Sequence, residues 1–274
     1  MTESEHLERE YSPSSRVGGS ADPFIVDYEQ RSALARGMHR VVDVGGGTLL
    51  APAGHMAGDG SGEGAPLLVY IHGGYWQALS AQASLYLAPR LLRQAWSYAA
   101  VEYRLAPAAT IEQMIDDCTA ALAHLARAVR PSLVVLAGHS AGAHLAAMAA
   151  LVRRPPLEVD RVVLVSGVYD LRPLVHTTVN APLGLDEQSA VALSPMLAPL
   201  RPSRPDTVVV WGDNDTDAFA QQSRAFAAHA GAHSFECAGR HHFDIVDDLT
   251  DPTTPLGAVT LALRTTAPEE SARG

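Results

Sequence analysis

The chain has 274 residues, 47% of them hydrophobic, and a formal net charge of −10. That length suits one α/β domain with a large core, and the acidic balance argues against nucleic acid or an anionic membrane as partner. No apolar run approaches the roughly 18 residues of a membrane span, and residues 1–10 are acidic and polar, the reverse of a signal peptide, so a cytoplasmic protein is expected.

In chain order, residues 1–20 are rich in Ser, Glu and Gly and predict a mobile N-terminal arm ahead of a single domain over 21–265. Residues 41–52 read as a hairpin at a sheet edge, turning through Gly45-Gly46-Gly47, and 57–66 as a Gly-rich surface loop. Leu67-Leu68-Val69-Tyr70-Ile71 is an apolar strand. From there strands and helices alternate, which is the signature of a mainly parallel sheet. The series runs helix 81–94 bent at Pro89, strand 98–103, helix 111–129, strand 133–137, helix 143–151 and strand 161–165. Ile111, Met114, Ile115, Cys118, Ala121, Leu122 and Leu125 fall on one face of the second of these helices. Between about 169 and 205 the pattern breaks into short pieces with six prolines and reads as a cap segment over the site. Strand 207–211, a helix from near Ala218 and strand 233–237 complete the series. Two cysteines, Cys118 and Cys237, suit free buried thiols in a reducing compartment. Every one of the 20 basic residues is arginine, which is a matter of coding composition.

Gly138-His139-Ser140-Ala141-Gly142 carries the chemistry. A bare G-x-S-x-G is a weak signal, but here an apolar strand precedes it and an Ala/Leu-rich helix follows. Strand, motif, helix is the nucleophile elbow, a sharp turn that lifts a serine Oγ above the sheet. Side chains at Gly138 or Gly142 would collide with the neighbouring strand or the turn.

A serine needs a base, and in this fold the order is Ser, then Asp or Glu, then His. Strand 207–211 leads into Gly212-Asp213-Asn214-Asp215, and strand 233–237 leads into His241-His242-Phe243-Asp244. Asp215 is favoured because the acid lies beyond the tight Gly turn. Asp213 is read as a cap of that turn and Asp217 as the cap of the following helix, and both remain rivals. His242 is favoured because Phe243 anchors it, with His241 a loop residue. His139 and His144 read as structural. An oxyanion hole is expected from Ala141 N–H and from Gly73 or Gly74, in His72-Gly73-Gly74-Tyr75-Trp76 after strand 67–71. Tyr75 and Trp76 are either an aromatic wall for the substrate or packing for that loop. Arg104 is a weak candidate for a substrate carboxylate, a surface ion pair being the plainer reading.

On these residues the chain resembles the α/β-hydrolase superfamily, near its hormone-sensitive-lipase branch, and more narrowly the serine-dependent kynurenine formamidase (arylformamidase) family. The narrower resemblance rests on Glu10-Tyr11-Ser12-Pro13-Ser14, His72-Gly73-Gly74-Tyr75-Trp76, Ser166-Gly167-Val168-Tyr169-Asp170-Leu171 with Pro173-Leu174, and His242-Phe243-Asp244-Ile245. Gly212 and Asp215, followed by Phe219 and Gln222-Ser223, also match. It covers residues 10–250 and implies an α/β-hydrolase fold with Ser140, Asp215 and His242 as triad. The implied activity is hydrolysis of N-formylkynurenine or a related aryl formamide in tryptophan catabolism. A carboxylesterase for short-acyl or aryl esters is the alternative. A non-enzymatic scaffold is disfavoured because all three triad positions are filled. His241-His242-x-Asp244 has no partner cluster, so no metal and no cofactor are expected. The partner expected is a small-molecule substrate, with a homodimer left open.

Overall fold

The computed structural model describes residues 2–52 and 64–263. The loop expected at 57–66 lies outside the described residues up to position 63. Helix α1 (Glu3–Glu10) starts on a capping box between Thr2 and Glu5, and a 3₁₀ turn (Pro13–Arg16) leads to α2 (Asp22–Met38). This differs from the mobile arm expected over 1–20. Few residues do the anchoring, so composition hides it. Glu10 and Tyr11 are buried, Thr216 Oγ1 donates to Glu10 O at 2.5 Å, and Gln222 Nε2 donates to the Tyr11 hydroxyl at 2.9 Å. Helix α2 also escapes the sequence, because its apolar residues scatter around the axis and only Tyr28, Ser32 and Ala35 are buried.

Strands β1 (Val42–Asp43) and β2 (Gly47–Leu50) form the expected antiparallel hairpin. After β3 (Leu67–Ile71), a 3₁₀ segment (Gln82–Leu87) and α3 (Ala88–Arg93) replace the single helix expected at 81–94. The break falls where Pro89 enters the first turn of α3, a position with no N–H to satisfy. Strand β4 (Ser97–Val101) and α4 (Ile111–Ala128) follow, and all seven apolar positions predicted for the inner face of α4 are buried. Strand β5 (Val134–His139) turns into α5 (Ala141–Ala147), which widens to a π turn at Met148–Val152. Strand β6 (Arg161–Val165) leads to two 3₁₀ turns (Arg172–His176, Thr178–Asn180) and α6 (Glu187–Ala192) in the segment read as a cap. Strand β7 (Asp206–Gly212), α7 (Asp217–Ala230), β8 (His233–Cys237) and α8 (Pro255–Leu261) close the chain.

The eight strands run in the order β1-β2-β4-β3-β5-β6-β7-β8, antiparallel at the β1–β2–β4 edge and parallel from β4 onward. Side chains alternate between two cores. Leu67, Val69 and Ile71 pack with residues of α4, α5 and α7, while Leu68 and Tyr70 pack with residues of α2, α3 and α8. Both faces are covered along β3 to β7, which is why those parallel strands read as continuous apolar runs, while edge strand β8 is largely exposed. Strand β4 lies on one side of β3 and β5 on the other, so the order reverses at β3. In such a sheet the crevice beyond the carboxyl ends of the diverging strands is the natural site. Among the described residues, no helix is long and apolar enough to cross a membrane.

Candidate active site

Ser140 stands at that crevice, between the end of β5 and the start of α5, with φ 55° and ψ −120°. A non-glycine residue held there costs on the order of 1–3 kcal/mol, which the surrounding structure must offset. Ser140 N–H donates to Val165 O at 2.9 Å, and Ser140 O accepts from Ala143 N at 3.0 Å. The flanking glycines are steric necessities. A Cβ at Gly142 would stand 2.1 Å from Ile71 O on β3, and one at Gly138 would stand 2.2 Å from Gly142 O.

The acid and the base arrive from β7 and β8. Asp215 and His242 are 5% and 4% exposed, and His242 Nδ1–H donates to Asp215 Oδ1 at 2.9 Å. The second carboxylate oxygen accepts from Ser166 Oγ at 2.6 Å and Gly212 N at 3.0 Å. Burial disfavours the charge on Asp215, but the facing His242, the Ser166 hydroxyl and the Gly212 N–H together hold its pKa below the usual carboxylate range. Ser140 and His242 line the same cavity, and with Nδ1 engaged by Asp215 the ring nitrogen left for chemistry is Nε2.

The rivals have other work. Asp213 Oδ2 accepts from Gly239 N at 2.8 Å and so braces the β8 turn. Asp217 does not cap α7. Thr216 occupies the cap position, and Glu10 Oε2, from the distant α1, accepts from Ala218 N at 3.2 Å. Asp217 instead pairs with Arg16 at 3.2 Å. His241 Nδ1 accepts from Phe243 N at 3.1 Å, and Phe243 stacks on Phe24 with ring centres 4.8 Å apart. His139 Nε2–H donates to His242 O at 2.8 Å, and burial, then the charge of His242, pushes its pKa down to about 3. His144, pushed by burial to about 4, donates to Leu193 O at 2.7 Å. Both are neutral structural histidines at physiological pH.

Gly73 lies against the elbow serine, since a Cβ there would stand 3.1 Å from Ser140 Cβ. The Tyr103 hydroxyl donates to His72 O at 2.9 Å and Gly73 O at 3.2 Å, and His72 Nδ1–H also donates to Gly73 O at 2.9 Å. In a trans peptide C=O and N–H point to opposite sides. Anchoring these two carbonyls therefore turns the N–H groups of Gly73 and Gly74 the other way. Ala141 opens α5, so its N–H has no partner within the helix.

Tyr75 and Trp76 part company. Both have left-handed φ, 51° and 60°, and the two neighbouring side chains lie in different surroundings. Tyr75 lines the cavity and donates to Tyr11 O at 2.5 Å. Trp76 is fully buried against His144, with ring centres 5.2 Å apart, so its assignment to a substrate wall is corrected to core packing. Arg104 holds Asp117 with two bonds of 2.8 Å and borders a different cavity.

The cavity at Ser140 measures about 340 Å³. Its wall includes five aromatic residues to which sequence reasoning assigned no part in a substrate site: Tyr11, Tyr28, Tyr70 and Tyr86, with Phe243. Tyr28 stacks on Tyr86 at 4.8 Å, and the Tyr28 hydroxyl donates to Phe243 O. From the cap segment, Thr178 and Val179 reach the cavity. Ser166 and Tyr103 were missed too. Ser166 lay inside a quoted motif with no task, and its φ of 47° was invisible in sequence.

A mainly parallel sheet flanked by helices, with a serine raised on a strained strand-to-helix turn at its switch point, defines an α/β-hydrolase, and the protein is one. A Pyrobaculum calidifontis esterase shares the fold at TM-score 0.66 and 21% identity, over 94% of each chain. The chain belongs to the BD-FAE family, whose model matches residues 56–229. A kynurenine formamidase of Danio rerio is 34% identical over 270 residues, 90% of this chain and 92% of that one. The crystal structure of a candidate thioesterase from a Silicibacter strain matches at TM-score 0.77 and 28% identity, over 93% of this chain and 99% of that one.

Proposed function

We propose that the protein hydrolyses the formamide of N-formylkynurenine or a related aryl formamide through an acyl-enzyme on Ser140. The carrying observation is one cavity that holds Ser140 and the Asp215-bonded His242 within a tyrosine-rich wall. Likeness to a kynurenine formamidase along nearly the whole chain supports the substrate class.

Ser140 Oγ attacks the formyl carbon while His242 Nε2 takes its proton. Asp215 holds the ring in the tautomer that leaves Nε2 free and stabilises the imidazolium. The oxyanion is met by N–H groups of Ala141 and of Gly73 or Gly74. Each such donor contributes roughly 3–4 kcal/mol. His242 then returns the proton to the departing nitrogen. An aniline is weakly basic and leaves more readily than an alkyl amine, which suits machinery otherwise shared with esterases. Water, activated by the same histidine, frees formate and restores Ser140. A cytoplasmic setting belongs to the same reading and is supported by the two free buried cysteines, which suit a reducing compartment.

Side-by-side kinetics on N-formylkynurenine and p-nitrophenyl acetate test the proposal. Turnover of the formamide is expected. Ser140→Ala should abolish it, along with labelling by a serine-reactive phosphonate, while the fold persists. Ready hydrolysis of short esters with N-formylkynurenine untouched at high enzyme concentration would replace this reading by carboxylesterase. Label on a folded Ser140→Ala protein would overturn the nucleophile.

A further inference from the structure

The charge around this cavity is one-sided. Burial pushes the Tyr75 and Tyr86 hydroxyls well above their ordinary pKa, so the tyrosine wall stays neutral. Among the described residues, no arginine lines the cavity and Glu8 supplies its carboxylate. Arg31 reaches the wall through the Tyr86 ring, 4.4 Å away, but its charge is met by Asp27 and Asp247.

Glu8 projects from α1 and is fixed by neutral donors alone. One oxygen accepts from Thr178 N at 2.5 Å and the other from Thr178 Oγ1 at 2.9 Å. Among the described residues no cation pairs with it, and each oxygen keeps a free lone pair. A carboxylate oriented this way at the rim of an apolar cavity attracts a cation and repels an anion.

We propose that Glu8 is a specificity-determining residue that reads the substrate's side chain, favouring a cationic amine over a carboxylate on the aryl formamide. The inference rests on the aryl-formamide reading above and narrows its substrate class. N-formylkynurenine carries both groups on one side chain. Glu8 holds its ammonium, and its carboxylate is left toward water.

The test uses the full chain and four 2-formamidophenyl ketones that differ in side chain: methyl, aminoethyl, carboxyethyl, and the amino-acid side chain of N-formylkynurenine. The expected order of kcat/KM is cation first, zwitterion next, anion last, with cation over anion by about tenfold. Added salt should shrink the cation-to-neutral ratio, because a partly exposed pair is screened. Glu8→Gln should lower that ratio by about fivefold, the scale of such a pair. Thr178→Ala, which keeps the charge, should retain the cation preference. An anionic substrate cleaved as fast as the cationic one overturns the proposal, as does Glu8→Gln slowing all four in the same proportion, the mark of a purely structural tie. Cleavage of p-nitrophenyl acetate with none of the four formamides cleaved would sink the formamide reading alone. The Glu8 assignment would then be decided on aryl acetates whose phenol carries an ammonium, no charge or a carboxylate, and absence of a cation preference there would overturn it.

Discussion

Ser166→Ala removes one of the three donors that hold Asp215, and its effect can be worked from the geometry. The lost bond is 2.6 Å long, fully buried and aimed at a charged oxygen. Bonds to charged groups contribute about 1.5–3 kcal/mol, and Gly212 N and His242 remain to share the load. Unfolding in urea at pH 7 should therefore show a loss at the low end of that range. The sign with pH follows from the depressed pKa of Asp215. A carboxylate stabilised in the fold contributes fully above its unfolded pKa, near 4, and loses that contribution as pH falls through the folded value. The gap between wild type and Ser166→Ala should be complete at pH 7 and narrow below about pH 4. Turnover should fall by about tenfold, far less than for loss of the carboxylate itself. Ser166→Gly sharpens the test, because the native φ is 47°. Glycine removes the same bond but relieves left-handed strain, so it should be about 1 kcal/mol more stable than the alanine variant with the same kinetic defect. An alanine variant within about 0.5 kcal/mol of wild type and fully active would refute this account of how Asp215 is held.

Asp215→Asn should cut kcat by roughly 10⁴ through loss of tautomer control, whereas Asp213→Asn should cost mainly about 1 kcal/mol of turn stability. A dead Asp213→Asn variant in steady-state assays would reverse the two roles. Tyr103→Phe deletes the hydroxyl that pins the His72 and Gly73 carbonyls. Turnover should drop by about tenfold with KM nearly unchanged, because the donors act on the transition state. Gly142→Ala places a carbon 2.1 Å from Ile71 O, and its expression as insoluble or unfolded protein by circular dichroism is the expected outcome.

What the sequence determined by itself is what depends on neighbours along the chain. Seven apolar positions at helical spacing announced the inner face of α4, and continuous apolar runs announced strands buried on both faces. Ser140 could be named because the elbow is a local device of strand, glycine-flanked turn and helix. Asp215 and His242 followed from loop positions after successive strands, and the structure brings the two together.

The cavity wall was decided by tertiary structure alone. Tyr11, Tyr28, Tyr70 and Tyr86 come from four separate segments of the chain, and no spacing links them. The N-terminal segment read as mobile because its composition is polar. Its place is set by a few distant contacts, with Glu10 Oε2 accepting from Ala218 N in the first turn of α7 and the Tyr75 hydroxyl donating to Tyr11 O. Trp76 shows the same limit at the scale of one residue. Its type suited a substrate wall as well as a core, and its burial beside His144, on a left-handed φ, leaves no trace in the order of the residues. Local pattern specifies local geometry, whereas a cavity is enclosed by side chains that meet only after the chain has folded.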